Sequence, residues 1–253
     1  MTTPELDDHR RPTYEDIHVM IGNAAKKILS EFKPDLMVAI GGGGFFPARV
    51  LRTFLKQRDE KTGKSRNLPI QAIGLSLYEE VEGVSEEMIG TQVIRTQWLE
   101  SSAPQAPDAG DKVAAKYGKN SGGLVGNNIL IVDEVDDSRT TLQCVSMLTS
   151  YAYNELVKDV RAALASIPDE ARESLAPTRF AIFVVQNKLG PKRADLPIYN
   201  SPADEKIVDG VADGVYYYAG ETTPPVWIDY PWEMQDISEH NRLSALAKAR
   251  AQN

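Results

Sequence analysis

The chain has 253 residues, 42% of them hydrophobic and 25% charged, proportions that exclude collagen, a pure coiled coil and wholesale disorder. Its 36 acidic residues outnumber 28 basic ones for a formal charge of −8, and no dense Lys/Arg run interrupts that balance, so general nucleic-acid binding is not expected. One cysteine, Cys144, cannot form an internal disulfide, and three scattered histidines lack zinc-ligand spacing. The N-terminal segment has no signal-peptide character and the apolar runs fall far short of the ~18 residues that span a bilayer, so a cytoplasmic protein with no membrane partner is expected.

Apolar residues first recur at helical spacing at Tyr14, Ile17, Ile21, Ala24, Ile28 and Phe32, with Thr13 and Asp16 placed as a capping box. Leu36 to Ile40 then reads as a buried strand that stops at Gly41, Gly42, Gly43 and Gly44, and Pro47 opens a second helix. Lys56 to Leu68 reads as a solvated loop and Ile70 to Leu77 as another strand. The stretch 101–123 is rich in Ala, Pro, Gly, Asp and Ser and reads as an exposed insertion. Strand Ile129 to Val132, an acidic turn, a helix through Leu142, Val145, Leu148 and Ala152, a second helix near Leu156 to Ile167 and strand Phe180 to Val185 complete the alternation. Strands alternating with helices predict an α/β fold, a mostly parallel sheet covered on both faces. The prolines beyond Pro191 suggest a small irregular or antiparallel hood. The expected organisation is a single domain over 1–253, with its core at about 14–190, its hood at about 191–237 and a polar tail at 238–253.

In such sheets ligands collect at the carboxyl ends of the strands. There, Asp133, Glu134, Asp136 and Asp137 put four carboxylates within five residues, followed by Ser138, Arg139, Thr140 and Thr141 at a helix start. The second group can present N–H groups, hydroxyls and one positive charge to a single phosphate. The first would repel that anion unless the ligand also carries hydroxyls, a metal or developing positive charge, conditions that a sugar phosphate meets. Gly41 to Gly44 fits neither the dinucleotide nor the nucleoside-triphosphate glycine pattern; it is either a structural turn or a second phosphate site.

Val132 to Thr141 resembles the signature of the type I phosphoribosyltransferases, and Trp227-Ile228-Asp229-Tyr230-Pro231-Trp232-Glu233 is similar to the base-binding segment of their 6-oxopurine members. Ile40 to Arg52, Ile73 to Tyr78 and Arg95 to Trp98 are similar to the fungal hypoxanthine-guanine and xanthine enzymes, so the resemblance runs over most of Pro34 to Ile237. It implies transfer of phosphoribosyl from phosphoribosyl pyrophosphate to a 6-oxopurine base, giving IMP or GMP and pyrophosphate, with Mg²⁺ as cofactor, in a homodimer or homotetramer. By position it implies Asp137 as the acid-base residue at purine N7, Asp133 and Glu134 at the ribose, and Ser138, Arg139, Thr140 and Thr141 at the 5′-phosphate. It further implies Gly41, Gly42, Gly43 and Gly44 at the pyrophosphate, although the basic residue often found in that loop is a glycine here. Lys188, Trp227 and Ile228 would bind the purine, Asp133, Glu134 and Glu233 the metal, and Ser76, Leu77 and Tyr78 would begin a flexible lid over the site. Asp229 and the backbone near Ile228 would set selectivity at purine C2. Trp232, Tyr216 to Tyr218 and Cys144 are read as packing residues. Hypoxanthine and guanine are the expected bases; the alternatives are a xanthine-preferring enzyme or a regulator that binds phosphoribosyl pyrophosphate without catalysis.

Overall fold

A computed structural model of the chain describes residues 7–58, 63, 65–77, 93–99, 123–137, 145–190 and 196–251. Helix α1 (Tyr14–Glu31) begins at the expected capping box, in which Thr13 Oγ1 accepts from the Asp16 N–H and the Asp16 carboxylate accepts from the Thr13 N–H. It is followed by β1 (Leu36–Ile40) and α2 (Phe45–Phe54). Next come the short strands β2 (Gln57–Arg58) and β3 (Ser65–Arg66), then β4 (Ile70–Leu77), β5 (Val93–Gln97) and β6 (Asn128–Asp136). Helices α3 (Val145–Ala165) and α4 (Asp169–Arg172) lead to β7 (Thr178–Lys188), β8 (Ile207–Val208), β9 (Val211–Thr223) and α5 (Ile237–Ala251).

The main sheet has the order β5-β4-β1-β6-β7-β9-β8. Its pairings from β4 through β9 are parallel, and antiparallel partners occur only at the two edges, as expected of an α/β fold. Successive strand residues point to opposite faces, which sorts the core into two halves. Met37, Leu130 and Phe183 pack with Ile21, Ile28, Leu51 and Leu55 of α1 and α2. Their strand neighbours Val38, Ile131 and Ile182 pack with Leu156, Val160 and Leu164 of α3. Strands buried on both faces are uniformly apolar, so β1 and the centre of β6 were readable as strands without any alternation.

Five features depart from the expectations. Helix α2 starts at Phe45, with the Gly44 carbonyl accepting from the Ala48 N–H at 3.0 Å, so Pro47 lies inside its first turn, where no N–H partner is lost. Strand β6 runs on to Asp136, so most of the acidic cluster belongs to the strand end rather than to a turn. The two helices expected between 142 and 167 are a single helix over the described residues from 145 to 165, since neither Gly nor Pro interrupts that span. A two-stranded hairpin, β2 with β3, stands within the stretch read as loop.

The fifth concerns the hood: β9 lies parallel to β7 in the main sheet, pairing Phe180 with Val215 and Val184 with Ala219, so the core continues well past residue 190. Val211 and Val215 are fully buried, and the aromatic run Tyr216 to Tyr218, paired with Ala181 to Phe183 of β7, packs alternately against the two halves of the core. The C-terminal stretch 237–251 is helical and docked by His240 and Ser244, each 2% exposed. No described helix is long and apolar enough to cross a membrane.

Candidate active site

The carboxyl ends of β1, β6 and β7 are adjacent in the sheet, and the glycine loop, the β6 acids and Lys188 lie at them. Asp133 and Glu134, successive residues of extended β6, take different directions. Asp133 is buried, 4% exposed, with one oxygen accepting from the Glu134 N–H at 2.8 Å and the other from Thr149 Oγ1 of α3 at 3.4 Å. Burial, reinforced by the neighbouring Glu134 charge, pushes its pKa well above the usual carboxylate range. The Glu134 side chain takes another course, accepting from the Trp232 indole N–H at 3.0 Å, and its pKa is pushed up to about 7, chiefly by burial and then by Glu233. Burial also raises the pKa of Glu233.

Asp136 accepts from the Tyr217 hydroxyl at 2.7 Å, which ties the β6 carboxylate to β9. Burial and the facing Asp136 hold the Tyr217 phenol in its neutral form. Asp137 accepts from Lys188 Nζ at 2.5 Å, in an ion pair whose side chains are 4% and 6% exposed. Taking two charges out of water is costly, so a dry pair with good geometry at a strand terminus is more easily understood as binding equipment than as a stabiliser.

The glycine loop turns with Gly42 at φ +88°, a conformation that side-chain-bearing residues rarely adopt. A Cβ on Gly43 would stand 2.0 Å from Glu134 Cδ, so the absence of a side chain there is what lets the carboxylate lie across the loop. On the opposite side, Trp232 stacks between Tyr230 (4.7 Å, 9°) and Phe46 (5.4 Å, 8°), and the Tyr230 hydroxyl donates to the Glu134 carbonyl at 3.2 Å. Trp232 is therefore half-buried and polar in use, where packing alone was expected. An indole N–H seldom goes without a partner when covered, and that was the available signal.

Trp227 is 48% exposed, free to offer a ring face, whereas Ile228 is buried at 7% with its side chain in the core. Asp229 is occupied: its carboxylate contacts His9 Nδ1 at 3.0 Å and Arg11 Nε at 3.0 Å. The Asp229 carboxylate is thus engaged within the protein, against the expectation that it would face a ligand. His9 and Arg11 carry no motif and were not singled out in the sequence. Of the lid residues, Ser76 and Leu77 end β4, while Tyr78 lies outside the described residues. The proposed 5′-phosphate group Ser138, Arg139, Thr140 and Thr141 also lies outside them.

Among the described residues no group of three or more His, Cys, Asp or Glu is arranged to hold a metal by itself. Mg²⁺ asks for less: one or two carboxylates, with substrate phosphates and water supplying the rest. Glu134 and Glu233 fit that demand as hard oxygen donors whose mutual repulsion, visible in the raised pKa of Glu134, a cation would relieve. Asp133, turned toward α3, does not join them in this arrangement.

No protein-family model matches the chain. It is 47% identical over 230 residues to hypoxanthine-guanine phosphoribosyltransferase of Schizosaccharomyces pombe, covering 90% of this chain and 91% of that one. It is 39% identical over 241 residues to hypoxanthine-guanine phosphoribosyltransferase of Saccharomyces cerevisiae, covering 94% and 91%. Against xanthine phosphoribosyltransferase 1 of the same yeast it is 39% identical over 235 residues, covering 92% and 93%. Among solved structures, a hypothetical protein from Neisseria gonorrhoeae with bound ppGpp superposes with a TM-score of 0.58 at 30% identity, covering 96% of this chain and 99% of that one.

Proposed function

Since the chain belongs to the hypoxanthine-guanine and xanthine phosphoribosyltransferase family, we propose that it converts hypoxanthine or guanine and phosphoribosyl pyrophosphate to IMP or GMP and pyrophosphate. The observation that carries the assignment of roles is the dry Asp137–Lys188 pair at the ends of two adjacent parallel strands. O6 and N7 are neighbours on one edge of a 6-oxopurine. A lysine ammonium and a carboxylate side by side match an acceptor next to a nitrogen that gives up or takes a proton.

In this reading N9 of the base forms a bond to C1′ as the bond from C1′ to the pyrophosphate oxygen breaks, the electron pair leaving with pyrophosphate. The purine, now short of electrons, releases its imidazole proton from N7 to Asp137, while Lys188 donates to O6 and keeps the ring in register. Trp227 stacks on the base and the Ile228 backbone meets its far edge. The positive charge that grows at C1′ would be met by Glu134 and Asp136, which are fixed by Trp232 and Tyr217 before the reaction begins. Asp133 and Glu134 are assigned to the ribose hydroxyls, with Glu134 the one already turned toward the glycine loop. Of the loop Gly41 to Gly44, Gly42 and Gly43 would offer backbone N–H groups to the pyrophosphate, those of Gly41 and Gly44 being given to the Ile73 and Ile40 carbonyls, and Ser138 to Thr141 would hold the 5′-phosphate. Bound Mg²⁺ would neutralise the phosphate oxygens, held by Glu134 and Glu233 together with the substrate.

Steady-state rates with hypoxanthine, guanine, xanthine and adenine test the reading. Hypoxanthine and guanine are expected to be used well and adenine poorly. Activity on xanthine comparable with that on guanine would favour the alternative, for which the 39% identity to a xanthine enzyme is the supporting observation.

A further inference from the structure

Both ends of the described chain converge on the segment assigned to the purine. In helix α5, His240 Nε2 lies 3.0 Å from the Pro12 carbonyl, Ser244 Oγ donates to the Arg11 carbonyl at 2.6 Å and Lys248 Nζ pairs with Asp16 at 2.6 Å. Residues 11–16 are thereby anchored. Just upstream, Arg10 lies parallel to Ile228: its N–H donates to the Trp227 carbonyl at 2.8 Å, and its carbonyl accepts from the Asp229 N–H at 2.9 Å. Among the described residues these are the backbone hydrogen bonds of 227–229. The side chains reinforce them. Asp229 takes Arg11 Nε and His9 Nδ1, Arg11 grips Asp7 with its two terminal nitrogens at 2.7 Å each, and Arg10 pairs with Glu221 of β9. The Arg11 and Asp229 side chains are only 9% and 12% exposed, so neither is readily repaired by water.

This pairing has a directional consequence. In an extended strand successive peptide groups face opposite edges. With the 227 carbonyl and the 229 N–H both turned to Arg10, the N–H and carbonyl of Ile228 are turned the other way. We propose that Arg11, together with Arg10 and His9, is a positioning element for the purine: by holding Asp229 and the backbone beside it, this strap aims the Ile228 peptide groups and the Trp227 ring at the base without touching it. The inference rests on the assignment of Trp227 and Ile228 to the purine made above. An added strand is a low-entropy way to fix such a segment, because order comes from main-chain bonds already made in the free protein.

Three full-length variants decide the matter: Arg11→Met, the double variant Arg11→Met/Asp229→Asn, and Trp227→Ala. For each, the Kd for GMP is measured by calorimetry and KM is measured separately for guanine and for phosphoribosyl pyrophosphate. Arg11→Met should raise the GMP Kd and the guanine KM about tenfold, while the KM for phosphoribosyl pyrophosphate stays within about twofold. The double variant leaves no buried carboxylate unpaired, since Asp7, the other partner of Arg11, is 44% exposed and can turn to water, so it should fold as the parent does and still show the raised guanine KM. Wild-type GMP affinity in the folded double variant, or an equal rise in both KM values, would overturn the inference. Trp227→Ala separates the two levels. If it weakens GMP binding and the strap variants do not, the strap alone is wrong; if it too binds GMP as wild type does, the purine assignment itself falls.

Discussion

Lys188 and Asp137, 51 residues apart in the chain, approach to 2.5 Å at the ends of β7 and β6, two strands that are parallel neighbours in the sheet. In the proposed function the pair sets a proton acceptor for N7 beside a hydrogen-bond donor for O6. It also makes each residue answerable for the other's stability, since removing one leaves a buried charge alone.

Asp137→Asn is accordingly expected to lower kcat by at least about a hundredfold while changing GMP affinity much less, because the lost function is proton transfer rather than binding. It should also destabilise the fold by about 3 kcal/mol or more through the stranded Lys188 ammonium. The double variant Asp137→Asn/Lys188→Gln should recover most of that stability and none of the turnover. Urea unfolding alongside steady-state kinetics checks both halves, and an unchanged kcat would remove Asp137 from the proton-acceptor role.

Trp227→Ala should weaken GMP binding by about 1–3 kcal/mol if the indole stacks on the purine as aromatic rings stack on nucleic-acid bases. With half of its surface already exposed, the ring contributes little to folding, so the melting temperature should move by no more than a few degrees. Loss of stability without loss of affinity would make Trp227 a packing residue.

Gly43→Ala places a methyl group 2.0 Å from Glu134 Cδ, and the carboxylate must leave its position across the loop. The expected cost is about 1–3 kcal/mol in stability, as for other overpacked sites. A larger rise is expected in KM for phosphoribosyl pyrophosphate than for guanine, because the displaced group belongs to the ribose and metal side. Equal effects on the two substrates would separate Glu134 from that side.

Glu134 also sets a pH dependence. Its folded-state pKa, about 7, lies above the ordinary 4.5, so between those values the folded protein holds a proton that the unfolded chain has released. Stability from this group is complete below about pH 4.5 and falls as pH rises through 7; the raised pKa of Asp133 acts in the same sense. Glu134→Gln should therefore stabilise the metal-free, ligand-free protein at pH 8 by up to a few kcal/mol and make little difference at pH 4.5. Denaturant midpoints of the two proteins at both pH values provide the comparison, and a gain that is largest at low pH would contradict the assignment.

Much of this protein is legible along the chain because its central strands are buried on both faces and its capped first helix obeys local rules. Leu36 to Ile40, Ile70 to Leu77 and the Thr13–Asp16 box depend on neighbours a few residues away, and they stand where the spacing put them. The acid cluster, the glycine loop and the Trp227 heptapeptide are equally local, and the composition around them was enough to suggest a sugar phosphate and, through resemblance, a purine. Strand β9 escaped because its partner is β7 and the intervening 22 residues carry prolines that look like the edge of a domain. Trp232 was read as packing because its aromatic neighbours Phe46 and Tyr230 reach it through folding, as does the Glu134 oxygen that uses its N–H.

By itself the sequence determined which chemistry the chain carries: the carboxylates, the turn-forming glycines and the aromatic ring, with the strands that bring them to one edge. Only the tertiary structure decided how those groups are held. Alternation along β6 sends Asp133 to Thr149 and Glu134 to Trp232, β7 delivers Lys188 to Asp137, and the meeting of the two chain ends gives Asp229 to Arg11 instead of to a base. The physical reason is the range of the forces concerned. Burial patterns and caps are written within a turn or two of chain, whereas a buried charge takes whichever partner the packing of distant segments leaves within about 3 Å.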